Sequence, residues 1–104
     1  MGENLDYIFR PQSIAIVGAS REEGSFGARV VRCLLEGHYQ GPLYPVNPRA
    51  KVINSLPCYR RVEDIPHPVD LAVVVVPAAR VQKAVEQCAN KGAKAVVVLS
   101  SGFK

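Results

Sequence analysis

Ile14-Ala-Ile-Val-Gly18-Ala-Ser20-Arg-Glu-Glu-Gly24-Ser-Phe-Gly27 carries a short apolar run into a turn marked by glycines. Without polar alternation, Ile14 to Val17 suit a parallel strand covered on both faces. The run stops at Gly18, and Gly24 and Gly27 stand at the mouth of a helix. Glycines let backbone N–H groups approach a ligand, and a helix N-terminus favours an anion, so the turn reads as a phosphate-binding site.

Downstream, Phe26, Val30, Val31, Leu34 and Leu35 recur at helical spacing over about three turns, with Ser25 as N-cap and Gly37 as the stop. Leu43-Tyr-Pro-Val46 predicts a second strand between Gly41-Pro42 and Asn47-Pro48. Because Pro45 cannot donate to a ladder, full pairing of this strand spans only a few residues. Val52 to Tyr59, with Ile53 and Leu56, predicts a short third strand at the sheet edge. Val62 and Ile65 mark a single helical turn.

Leu71-Ala-Val-Val-Val-Val76 is the clearest strand, and a run so apolar belongs at the centre of a covered sheet. A helix follows from Ala78 to Lys91, with Val81, Ala84, Val85 and Cys88 on one face and Gly92 as its stop. Lys94 to Leu99 form the last strand, leading into Ser100-Ser101-Gly102. Strands alternating with helices at this spacing predict an α/β fold, a Rossmann-like doubly wound parallel sheet flanked by helices. A length of 104 residues holds one domain, residues 1–104, with residues 1–12 as an N-terminal lead-in whose Leu5, Ile8 and Phe9 share an apolar face.

Composition narrows the function classes. Hydrophobic residues at 48% and charged residues at 21% describe an ordinary globular chain. The net charge of +4 comes from scattered Lys and Arg, with no basic stripe and only seven aromatic residues, which argues against nucleic acid and for mild attraction of anionic small molecules. Cys33, Cys58 and Cys88 form no disulfide framework or zinc pattern and fit a reducing cytoplasm. The apolar runs are too short to span a bilayer.

Ligands of open parallel sheets bind beyond the carboxyl ends of the strands. Here those ends are Gly18-Ala19-Ser20, Val46-Asn47-Pro48-Arg49, Val76-Pro77-Ala78 and Ser100-Ser101-Gly102. A nicotinamide dinucleotide site calls for Gly-x-Gly-x-x-Gly and an acid after the second strand to hold the ribose diol. This chain has a longer glycine spacing, and Asn47, Arg49 and Lys51 where that acid would be. A phosphorylated ribose fits better, since Arg49, ranked above Lys51, neutralises a phosphate that an aspartate would repel. NADP and coenzyme A both satisfy this, so an NADP-binding oxidoreductase module stays open, as does a regulatory or scaffold domain with a vestigial nucleotide site.

Taken in order, Ile14 to Ser20, Gly24-x-x-Gly27, Tyr44 to Pro48, Leu71 to Pro77 and Ser100 to Phe103 resemble the N-terminal CoA-binding domain of ADP-forming acyl-CoA synthetases, relatives of the succinyl-CoA synthetase α subunit. The resemblance implies coenzyme A as cofactor. It implies that Gly18, Ala19 and Ser20, with Gly24, Ser25, Phe26 and Gly27 at the helix entrance, surround the diphosphate and adenosine side. Val46, Asn47, Pro48 and Arg49 would line the nucleotide, with Arg49 on a phosphate. Val76, Pro77 and Ala78 would flank the pantetheine arm, and Ser100, Ser101 and Gly102 would lie near its reactive end.

That family relays a phosphoryl group through a phosphohistidine in a further domain. The resemblance therefore implies a binding module of a larger ligase, or a stand-alone relative, partnered by other domains or subunits and without a complete catalytic site of its own. His38 and His67 read as solvated loop residues. Cys33 and Cys88 read as small core residues on helix faces, Cys58 as more exposed. Arg21, Glu22 and Glu23 read as a solvated loop face.

Overall fold

The computed structural model describes residues 10–99. In chain order it contains β1 (Ile14–Val17), α1 (Phe26–Glu36), β2 (Leu43–Val46), β3 (Val52–Ile53), β4 (Leu56–Pro57), β5 (Leu71–Val74), α2 (Val81–Lys91) and β6 (Ala95–Val98), with 3-10 turns at Val62–Asp64 and Ala78–Arg80. The lead-in residues Leu5, Ile8 and Phe9 and the segment Ser100, Ser101 and Gly102 lie outside the described residues.

Four parallel strands form the main sheet in the order β2-β1-β5-β6. Ile14 pairs with Leu43 on one side and Leu71 on the other, and Val17 with Val46 and Val74. All residues of β1 and β5 are buried, as their unbroken apolar sequences require of central strands. Successive side chains point to opposite faces, so each strand feeds two cores. Ile14, Ile16, Val73 and Val75 meet Val31 of α1 on one face. Ala15, Val17, Ala72 and Val74 meet Ala84 and Cys88 of α2 on the other. The domain is thus the predicted Rossmann-like α/β sandwich. None of its described helices is long and apolar enough to cross a membrane.

From β1 the chain steps outward to β2, and from β5 it steps the opposite way to β6, so strand order reverses between β1 and β5. All four carboxyl ends share one edge, and the reversal opens a crevice there.

Pro45 does no harm in β2 because its missing donor faces away from β1. Its carbonyl accepts from the Tyr59 N–H at 2.9 Å, while the Val46 carbonyl accepts from Gly18 on the β1 side at 3.1 Å. The expected third strand departs from this sheet. Val52–Ile53 and Leu56–Pro57 pair with each other as a separate antiparallel hairpin. Asn54 and Ser55 both take positive φ, 50° and 67°, which turns the chain back on itself in two residues, and Ile53 is buried against the α1 core. After this hairpin, Tyr59 joins the main sheet through a parallel bridge to Val46.

Helix ends follow local chemistry. The Ser25 hydroxyl accepts from the Ala28 N–H at 3.2 Å as N-cap. Gly37 ends α1 as expected, although the left-handed residue is the next one, His38, at φ 60°. The predicted second helix is split into the 3-10 turn and α2, and Gly92 caps it in the left-handed region. Cys88 is fully buried, but Cys33 is exposed. Two residues beyond the buried Val31, Cys33 is rotated about 200° around the helix, onto the solvent side.

Candidate nucleotide-binding cleft

Backbone packing at the crevice explains the glycines. Gly18 has φ +102°, and a Cβ there would overlap the Val75 carbonyl of the adjoining strand end. A Cβ on Gly27 would overlap the Gly18 carbonyl. The start of α1 therefore lies directly against the end of β1, with no room for a side chain at either position.

The intervening loop is held by its own polar groups. The Ser20 hydroxyl accepts from the Glu22 N–H at 3.0 Å, and the Ser25 hydroxyl donates to the Glu22 carbonyl at 2.7 Å. Across the crevice, the Asn47 amide donates to the Ala19 carbonyl at 2.8 Å. Its oxygen accepts from the Arg49 and Ala50 N–H groups at 2.7 and 3.1 Å. Asn47 thus ties the loop after β2 to the loop after β1 and shapes its own loop as an Asx turn.

Between these loops and the first turns of α2 lies an open cleft of 1060 Å³. Ligand pockets run from roughly 300 to 1,000 Å³, so this one suits a nucleotide-sized molecule. Of the expected site residues, Gly18, Ala19, Ser20, Val46, Asn47, Pro48, Arg49, Val76 and Pro77 line it. Gly24, Ser25, Phe26, Gly27 and Ala78 are not in its walls. Ser25 caps α1, Gly27 is packed on Gly18, and Phe26 joins the α1 core with the Arg29 guanidinium 6.0 Å from its ring centre.

Charge distinguishes this cleft. Arg21, Arg49, Arg60, Arg61, Arg80 and Lys83 line it against one carboxylate, Glu22. Basic residues scattered in the sequence are therefore gathered by the fold, and one sign of charge in a concave site raises the local concentration of anions. Arg21, expected on a solvated loop face, and Arg80 and Lys83, expected on the outer face of the second helix, line the cleft instead, joined by Arg60 and Arg61, which the sequence does not single out. No local motif marks them. Arg60 and Arg61 arrive because Tyr59 bridges Val46 in parallel, which aims the following residues at the ligand edge. Arg80 and Lys83 stand three apart at the start of α2, a spacing that shares one helix face.

Other reactive side chains contribute little. Burial pushes the Cys58 thiol above its ordinary value, away from a thiolate nucleophile. His38 and His67 are exposed and outside the cleft, His67 stacking on Tyr44 at 5.8 Å between ring centres.

A parallel sheet with this strand reversal, tight glycine turn and cationic cleft defines the class of nucleotide-binding α/β domains. Within that class, residues 12–104 match the CoA binding domain family, and the chain belongs to it. It is 45% identical over 100 residues to the ADP-forming acetate–CoA ligase II of Archaeoglobus fulgidus, covering 96% of this chain and 15% of that protein. It is 40% identical to the α subunit of ADP-forming acetate–CoA ligase I of Pyrococcus furiosus, covering 96% and 22%. The apo dinucleotide-forming acetyl-coenzyme A synthetase 1 of Ca. Korarchaeum cryptofilum superposes with a TM-score of 0.91 at 40% identity, covering 95% of this chain and 22% of that one. The chain thus spans less than a quarter of these relatives.

Proposed function

We propose that the cleft binds coenzyme A as the CoA-binding module, residues 1–104, of a cytoplasmic ADP-forming acyl-CoA synthetase. The observation that carries this reading is the cationic loop after β2, where Arg49 lines the cleft in place of a diol-binding acid. In this reading the diphosphate lies along Gly18, Ala19 and Ser20, at the cleft wall formed by the turn between β1 and α1. The 3′-phosphate meets Arg49, and the uncharged pantetheine arm leaves past Val76 and Pro77.

The acyl and phosphoryl steps belong to further domains or subunits. This module contributes binding, orientation and charge neutralisation. A phosphorylated ribose separates it from an NAD site, and the longer glycine spacing separates it from the usual dinucleotide fingerprint.

Calorimetric titration of the chain with coenzyme A, NADP and ADP tests the reading. Coenzyme A is expected to saturate a single site, with NADP and ADP weaker. Preferential binding of NADP would establish an oxidoreductase-type module instead, and no heat from any of them would leave a scaffold role.

A further inference from the structure

We infer that Arg60 is a second specificity-determining cation for the ribose phosphate, gripping it together with Arg49 from the outer edge of β2. The inference rests on the coenzyme A reading and deepens it.

The geometry begins with Tyr59. Its N–H donates to the Pro45 carbonyl at 2.9 Å, and its carbonyl accepts from the Asn47 N–H at 2.9 Å. Tyr59 therefore acts as a one-residue strand on the free edge of β2, parallel to it. Its ring packs edge-on against Tyr44 at 6.0 Å, which holds that strap to the sheet. A parallel partner exits at the same end, so Arg60 enters the cleft beside the loop carrying Arg49.

Three observations favour Arg60 over its neighbours. Arg61 also lines the cleft, but its guanidinium is 3.5 Å from the Asp64 carboxylate, the one ion pair among the described residues. Arg60 has no carboxylate partner among those residues. Arg80, at the end of the 3-10 turn before α2, and Lys83, in the first turn of α2, approach from the side of the cleft where β5 ends, away from the outer edge of β2.

A phosphomonoester carries nearly two charges on three acceptor oxygens. One guanidinium fork satisfies two of them. A second fork from another direction completes both the hydrogen bonding and the charge balance, and it does so only when the ribose is phosphorylated. Arg60 should therefore act on the choice between phosphorylated and unphosphorylated ribose, with little effect on how the rest of the nucleotide binds.

The test measures Kd for coenzyme A and for 3′-dephospho-coenzyme A in wild type, Arg49→Gln, Arg60→Gln, the double variant, Arg60→Lys and Arg32→Gln. Arg32 is exposed on α1 outside the cleft and controls for overall charge. We expect Arg60→Gln to cut the preference for coenzyme A about tenfold, the loss of one charge-assisted contact. Arg60→Lys, which keeps the charge and loses the fork, should keep only part of the preference, and Arg32→Gln all of it. In Arg49→Gln/Arg60→Gln the two losses should be non-additive, as for groups sharing one phosphate. An unchanged preference in Arg60→Gln, or an equal loss in Arg32→Gln, overturns the inference while leaving coenzyme A binding intact. If wild type binds neither ligand, the coenzyme A reading falls and Arg60's role falls with it.

Discussion

The Asn47 side-chain amide lies 2.8 Å from the Ala19 carbonyl oxygen and donates to it, joining the loops that end β2 and β1. The same side chain accepts from the Arg49 and Ala50 amides, so one residue sets the position of both walls of the cleft.

Asn47→Ala removes all three contacts and should lower stability by about 2 kcal/mol, measured by urea unfolding. It should also weaken coenzyme A binding, because Arg49 loses the turn that presents it. Asn47→Asp keeps the acceptor but turns the donor facing Ala19 into an oxygen. Near neutral pH it should be at least as destabilising as Asn47→Ala, with partial recovery when acid protonates the carboxyl.

The glycines separate close packing from turn geometry. Gly27→Ala drives a methyl into the Gly18 carbonyl, and neither backbone can retreat without parting α1 from β1. A loss of about 3 kcal/mol is expected, at the upper end of overpacking. Gly24 has φ +85° but open space around it, so Gly24→Ala should cost only about 1 kcal/mol of left-handed strain. Thermal melts of the two variants check the order.

Reversing charge at Arg49 tests the ligand directly. Arg49→Glu sets a carboxylate beside the phosphate and should weaken coenzyme A binding about a hundredfold at low salt. Lys51 is exposed and outside the cleft walls, and Lys51→Glu should change affinity by less than about threefold. Equal effects of the two reversals would point to a diffuse field in place of a contact.

Burial raises the Cys88 thiol from 9.0 to about 11. The folded state holds the proton more tightly than the unfolded state, so stability is fully present below pH 9. It declines as pH rises from about 9 to about 11. Cys88→Ala should remove that part of the alkaline slope, seen as the difference between the two unfolding free energies against pH. Under native conditions a thiol reagent should modify the exposed Cys33 long before Cys88.

Much of this molecule is legible in residue order. Ile14–Val17 and Leu71–Val74 had to be central strands, because nothing in them tolerates water, and the glycine turn and Ser25 cap had to open a helix between strands. The predicted edge strand failed at Asn54-Ser55, where two left-handed residues fold the segment into its own hairpin. Cys33 failed because two residues around a helix reverse its face. Ser25 caps α1 as expected and Gly27 packs on the Gly18 carbonyl, and both stand outside the cleft walls.

Sequence alone determined the alternating α/β order, the two central strands and the basic residue after β2, since burial pattern and turn chemistry are local properties. Only the tertiary structure decided that Arg21, Arg49, Arg60, Arg61, Arg80 and Lys83 share one cleft. Their convergence depends on strand order and on the Tyr59 strap running parallel to β2. Long-range pairing of that kind leaves no periodic mark on the residues it brings together.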